Sequence, residues 1–228
     1  MNYLIITSQQ WNFDLFDKLQ NNSADKWFLI SEKDDVNLEK INQINPLKIF
    51  FPHWSYYIKE EIFQNYECIV FHMTDLPYGR GGSPLQNLIS RGVYNTKISA
   101  LRCTKELDAG DIYLKRDLSL KQGNAEELYI KASQLVFEMI IEIIIQQLKA
   151  VPQQCEGEVV NFKRRTAAMS LLPENLTLMQ VYDHIRMLDA PSYPKAYIDY
   201  GGYRLHFEKA QLSSDQQLQA QVRFEKIE

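Results

Sequence analysis

Residues 71–84 read FHMTDLPYGRGGSP, a histidine, an aspartate, an arginine and four adjacent turn formers directly after the apolar run ECIVF at 67–71. A short buried run ending in a glycine-rich, polar loop is how a central parallel strand delivers side chains to a site. Working outward, the same rhythm recurs. YLIITS (3–8), KWFLIS (26–31), KIFFPH (48–53) and ECIVFHMT (67–74) predict four strands. The spans WNFDLFDKLQN, NLEKINQIN and IKEEIFQNY between them carry helical spacing. This alternation predicts an α/β fold with a doubly wound, mostly parallel sheet. TKISALRC (96–103) and IYLKRDLSL (112–120) add two strands around the turn KELDAGD. Ser83-Pro84 reads as an N-cap followed by proline at the first helical position, and Gly92 as the residue that stops that helix. Asn124 with Glu127 predicts a capping box for a long helix over 125–149.

The texture changes near Val151-Pro152, which divides the chain into a core at 1–150 and an extension at 151–228. The extension predicts a short strand in EGEVVNFKRR, a helix in NLTLMQVYDHIRML and a hairpin in AYIDYGGYRLHFEKA turned at Gly201-Gly202. Residues 212–228 read as an edge strand or a tail.

Composition narrows the function. With 228 residues, 45% hydrophobic and 24% charged, the chain has the make-up of a soluble globular protein. A formal net charge of -4 offers no general field for nucleic acid, so no nucleic-acid partner is expected, although Lys163, Arg164 and Arg165 form a local basic run. The N-terminus lacks the features of a signal peptide, and FEMIIEIIIQQL is too short and too acidic to span a bilayer. Cys68, Cys103 and Cys155 make no CxxC pair, which fits a reducing, cytoplasmic setting with the thiols as packing groups. Four histidines without a HExxH or Cys/His cluster predict no metal.

Ligands of an open α/β sheet bind beyond the carboxyl ends of its strands. That rule singles out PHWSYY, HMTDLPYGRGGS and KELDAGD, whereas the first turn, TSQQWN, has no glycine for a dinucleotide or a P-loop phosphate. His72 with Asp108 is a candidate general-base pair, since a neighbouring carboxylate fixes the tautomer of an imidazole and favours its charged form. The plainer reading makes His72 a strand-end residue bonded to backbone and Asp108 a turn former.

The segments HMTDLPYGRGGSP and KELDAGDIY resemble the formyltetrahydrofolate-dependent transferases. Their pattern is Asn-x-His-x-Ser/Thr-x-Leu-Pro-x-x-Arg-Gly-x-x-Pro, followed by Leu-Asp-x-Gly-x-Ile. It is met here at His72, Thr74, Leu76, Pro77, Arg80, Gly81, Pro84, Leu107, Asp108, Gly110 and Ile112. The resemblance spans most of 1–150 and implies a Rossmann-like formyltransferase core with N10-formyltetrahydrofolate as donor. Within the family the chain looks most like the sugar N-formyltransferases of pseudaminic acid biosynthesis. That implies a cytoplasmic enzyme formylating the C4 amine of a nucleotide-linked amino sugar, UDP-4-amino-4,6-dideoxy-N-acetyl-β-L-altrosamine. A hydrolase, a methionyl-tRNA formyltransferase and a non-catalytic binding module are the alternatives; the charge and the absence of a full basic domain after residue 210 speak against tRNA.

The resemblance also assigns residues. His72 and Asp108 are the catalytic pair. Trp54, Tyr56, Leu107 and Gly110 line the folate; Arg80, Gly81, Gly82, Lys163, Arg164 and Tyr193 meet the acceptor. Val70 stands where the family has its asparagine, so another donor must serve the formyl oxygen, with His53 and Thr74 as candidates. Tyrosine-rich strands near the C-terminus imply a homodimer.

Overall fold

Apolar runs of four or five residues become strands and the amphipathic spans between them become helices, in the order the pattern predicts. The computed structural model describes residues 1–154, 159–191, 193–214 and 216–227. Cys155, and with it the start of the strand read in EGEVVNFKRR, lies outside the described residues. The elements are β1 (Asn2–Ile6), α1 (Phe13–Asn21), β2 (Lys26–Ile30), α2 (Leu38–Ile44), β3 (Lys48–Pro52), α3 (Glu60–Asn65), β4 (Cys68–His72) and β5 (Arg80–Gly81). There follow α4 (Pro84–Ile89), β6 (Asn95–Arg102), β7 (Ile112–Ser119), α5 (Ala125–Ile145), β8 (Asn161–Phe162), α6 (Leu178–Arg186), β9 (Ala196–Tyr200), β10 (Tyr203–Ser214) and β11 (Gln217–Lys226).

The chain folds as two compact units that are interleaved in sequence. One comprises Met1–Gly81, Thr96–Leu118 and Ile130–Asn161; the other comprises Gly82–Asn95, Ser119–Tyr129 and Phe162–Glu228.

The first unit holds a six-stranded sheet in the order β2-β1-β3-β4-β6-β7. β1, β2, β3 and β4 pair in parallel, and β6 runs antiparallel to β4. Because successive strand side chains alternate between faces, each run supplies two cores. On one face Leu4, Ile6, Ile30, Ile49, Phe51 and Cys68 pack with Ile41 of α2 and Ile62 of α3. On the other, the rings of Trp27, Tyr3, Phe50 and Phe71 form a row across β2, β1, β3 and β4, with centroids 4.9, 6.3 and 6.4 Å apart. The first strand-helix turn is closed without glycine: the buried Asn12 amide donates to Thr7 Oγ1 at 3.0 Å and to the Pro52 carbonyl at 3.1 Å. Among the described residues no helix is long and apolar enough to cross a membrane. The greasy run FEMIIEIIIQQL lies in and just after α5, which ends at Ile145 rather than 149.

The second unit is built on α6 and the antiparallel sheet β11-β10-β9. Of residues 212–228, read as an edge strand or a tail, 212–214 end β10 and 217–226 form the edge strand β11. Gly201 and Gly202, at φ 59° and 80°, supply the left-handed pair that a two-residue hairpin turn needs. Thr177 and Gln180 cap α6 reciprocally, and Asn124 and Glu127 exchange bonds of 2.9 and 3.0 Å ahead of α5, as the sequence predicts. Ser83 does not cap α4. It sits at φ 51°, and its hydroxyl instead accepts from the Arg165 N–H at 3.1 Å and from the Tyr193 hydroxyl at 2.9 Å.

Arg186 is the polar anchor of this unit. Only 2% exposed, its guanidinium donates to Asp183 at 2.7 Å and to the carbonyls of Gly123 and Leu120 at 2.8 and 3.0 Å. Truncating one partner of a buried ion pair strands the other charge. Arg186→Met is therefore expected to lower unfolding stability by about 3–5 kcal/mol in urea titration. A loss below about 1 kcal/mol, the usual surface-pair figure, would show that Asp183 finds another partner.

His184, also buried, gives this unit a pH dependence. Burial, aided by the nearby Arg165 charge and opposed by a bond to the Ser170 carbonyl, holds its pKa below the ordinary 6.5. The unfolded chain then takes up this proton at higher pH than the folded one, so stability is intact above 6.5 and is lost as pH falls through the depressed value. His184→Gln is expected to flatten the stability profile below pH 6.5, read by thermal melts across that range. An unchanged slope would remove His184 as its source.

Candidate functional site

His72 closes β4, and its ring is held by main chain. Nε2 lies 2.7 Å from the carbonyl oxygen of Gly79, which can only accept, so Nε2 carries the proton. Nδ1 then faces Asp108, with Oδ2 at 3.6 Å. Both side chains are nearly enclosed, at 9% and 11% exposure, which limits screening of the pair by water.

Asp108 arrives by a route that strand order alone does not suggest. The loop rule treats KELDAGD as leaving the same sheet edge as HMTDLPYGRGGS. Instead β6 is antiparallel to β4, with Arg102 opposite Ile69 and Ser99 opposite His72. The loop after β6 therefore leaves the sheet near the start of β4 and returns along it to bring Asp108 to the imidazole.

Asp108 sits at φ 53°, left-handed backbone that aspartate tolerates better than most residues with a Cβ. Its Oδ2 accepts from the Gly81 N–H at 2.8 Å. The amide of Gln153 holds its carbonyl at 2.8 Å and that of Gly110 at 2.9 Å. Gly110 allows a close approach, since a Cβ there would lie 1.9 Å from the Arg102 carbonyl oxygen. Segment 79–81 thus supports both members of the pair, His72 through the Gly79 carbonyl and Asp108 through the Gly81 N–H. It is itself fixed by the N–H groups of Gly79 and Arg80, which donate to the Val160 carbonyl at 2.8 and 3.1 Å.

The remaining residues fall into three groups. Trp54 and Tyr56 leave the end of β3, next to β4, and meet edge to face at 5.0 Å. Trp54 Nε1 is buried and has no acceptor among the described residues. His53, at φ 49°, lies against Trp11 with centroids 5.3 Å apart. Leu107 is 70% exposed.

Two residues behave otherwise than expected. Thr74 is fully buried and its hydroxyl donates to the Gly79 carbonyl at 3.4 Å, which engages the donor that the formyl oxygen would need. Arg80 pairs within the first unit. Its Nη2 donates to Gln153 at 2.7 Å, while Asp75 pairs with Lys115 at 2.5 Å and Lys97 at 3.5 Å.

In the second unit, Gly82 packs against Arg164, where a Cβ would stand 2.6 Å from the Arg164 Cβ, and Tyr193 bonds Ser83 as above. Lys163 offers its carbonyl to the Asn87 amide at 3.0 Å. Val70, partly buried, packs with Leu76, Leu101 and Ile112. Burial pushes the Cys103 thiol up to about 11, and that of Cys68 higher, in keeping with packing groups. Among the described residues no group of three or more His, Cys, Asp or Glu could hold a metal ion. Gly79 and Gln153 were missed from sequence; the glycine cluster was the one visible signal for the former.

Comparison with known proteins bears on what such a pair serves. Residues 167–225 match the family described as methionyl-tRNA formyltransferase, C-terminal domain. A methionyl-tRNA formyltransferase from Clostridium thermocellum has a solved structure that is 46% identical, covering 99% of both chains at a TM-score of 0.93. The methionyl-tRNA formyltransferase of Ehrlichia canis is 29% identical over 194 residues, 83% of this chain. This chain spans 62% of the length of that curated relative. A likely sugar N-formyltransferase from Mycobacterium tuberculosis aligns at a TM-score of 0.71 with 17% identity, which speaks to fold alone. These findings overturn the expected acceptor: a nucleotide-linked sugar, pseudaminic acid biosynthesis and the exclusion of nucleic acid all conflict with relatives named for methionyl-tRNA.

Proposed function

We propose that this chain, which belongs to the formyltransferase family, transfers a formyl group to the α-amine of methionyl-tRNA. Formyltransferases of this family use N10-formyltetrahydrofolate, which supplies a one-carbon unit already at the formyl oxidation level. The observation that carries the chemistry is the ring setting of His72, with Nε2 committed to the Gly79 carbonyl and Nδ1 turned to Asp108. The acceptor comes from the names of the relatives.

The chain's residues divide the work as follows. An amine must shed a proton as it forms the new C–N bond, and Nδ1 of His72 is the ring position with a lone pair to receive it. Asp108 offsets the positive charge that then forms on the ring. The same nitrogen holds that proton for the departing nitrogen of the donor. No side-chain nucleophile is needed, because the amine itself attacks; the protein contributes position and charge. The residues suit a pterin, since Trp54 presents a buried N–H without an acceptor beside the edge-on ring of Tyr56. His53 is our candidate donor to the formyl oxygen where Val70 replaces the family asparagine. For the tRNA, Lys163, Arg164 and Arg165 give a cationic run that meets phosphate locally, whatever the net charge of -4.

The test is direct. Purified protein with N10-formyltetrahydrofolate and charged methionyl-tRNA should yield formylmethionine by mass spectrometry after deacylation. His72→Ala should lower kcat by about two to four decades. An inert wild-type protein that still binds the donor would overturn the acceptor assignment. His53→Ala is expected to lower kcat by about two to three decades, the usual cost of one oxyanion donor; an unchanged kcat would discard it. Trp54→Phe should raise KM for the donor by up to about tenfold, the worth of one hydrogen bond, with kcat kept, and an unaltered KM would place the indole outside the donor site.

A further inference from the structure

We infer that Gln153 is a positioning residue for the transfer reaction, setting the Asp108 carboxylate against His72 through a closed ring of hydrogen bonds. The inference rests on the His72–Asp108 reading above and deepens it.

The ring can be followed atom by atom. Arg80 Nη2 donates to Gln153 Oε1 at 2.7 Å. Gln153 Nε2 donates to the Asp108 carbonyl at 2.8 Å and shares itself with the Gly110 carbonyl at 2.9 Å. The Asp108 carboxylate accepts from the Gly81 N–H at 2.8 Å, and Gly81 is joined covalently to Arg80. Each link constrains the next. A primary amide is the one neutral side-chain group that can accept from a guanidinium on one side and donate twice on the other. A carboxylate in its place would set an oxygen against two carbonyls, and an apolar group would leave both unserved.

The need for such a device follows from the loop. Asp108 lies on a segment that returns along the sheet from the far end of β4, and its backbone is left-handed. Nothing in strand pairing fixes where its carboxylate stops. Gln153 fastens the main chain at Asp108 and Gly110, while Arg80 ties that fastening to the segment whose Gly79 carbonyl holds His72. The amide therefore refers both catalytic groups to one frame without touching either side chain.

A kinetic cycle tests this. Gln153→Leu is expected to lower kcat by about ten- to a hundredfold, in keeping with loss of alignment, and to leave KM for the donor within about twofold. Introduced into Asp108→Asn, the same change should cost less than about threefold, because the carboxylate it positions is already neutral. Equal losses in both backgrounds, or no loss in the single variant, would overturn the inference. Should Gln153→Leu fail to fold, Gln153→Glu carries the same cycle, since it keeps the acceptor for Arg80 and removes the donor. Amide hydrogen exchange at Gly81 separates this claim from the acceptor assignment, needing no turnover. Gln153→Leu should speed it about tenfold or more as the bond to Asp108 loosens. Unchanged exchange overturns the positioning role, whichever amine proves to be the substrate.

Discussion

The site depends on three consecutive residues, Gly79-Arg80-Gly81, whose main chain serves as a jig. The carbonyl of Gly79 fixes the proton of His72 on Nε2, and the N–H of Gly81 holds the carboxylate of Asp108. Neither bond depends on a side chain of the tripeptide, but both demand a backbone path that residues with a Cβ rarely take. Gly79 lies at φ 77° and Gly81 at φ 108°. Only glycine visits such conformations freely. What the sequence shows as a glycine cluster beside an arginine is the means by which two side chains distant in sequence share one support. Arg80, the middle residue, extends that support through Gln153.

Packing explains why the jig can be rigid. β4 is flanked by β3 and β6, one face sealed by a branched aliphatic core and the other by a row of aromatic rings. His72 thus stands at the end of a strand that has little freedom, and the loop beyond it needs few bonds to be fixed. Val70 belongs to this account. Two residues before His72 on the same face, it packs, partly buried, against Leu76, Leu101 and Ile112.

Much of the fold was legible because strand and helix periodicities are local. The four parallel strands, the capping box at Asn124, the Gly201-Gly202 turn and the hairpin all follow from patterns within a dozen residues. His72 and Asp108 were legible as residue types in a motif. The route of Asp108 was not, since strand direction in the sheet is a non-local property and β6 turned out antiparallel. Gln153 was illegible for a related reason: it lies after the long helix α5, and a backbone carbonyl leaves no mark in the sequence that binds it. The acceptor was misjudged because donor-side motifs in the first 150 residues are common to the family, whereas acceptor choice is not written there. Net charge misled in the same way, as a sum over 228 residues does not report where the charges lie.

The central claim is that main chain fixes the histidine tautomer and leaves Nδ1 to exchange the proton. Side-chain ¹⁵N NMR of His72 in the full chain, which distinguishes a protonated from an unprotonated ring nitrogen, reads this directly. The account predicts a neutral ring protonated on Nε2, with Gly79 as the partner of that N–H and Nδ1 carrying the lone pair. A neutral ring protonated on Nδ1 would contradict it, because the lone pair would then face a carbonyl oxygen and the proton would already be pointed at Asp108.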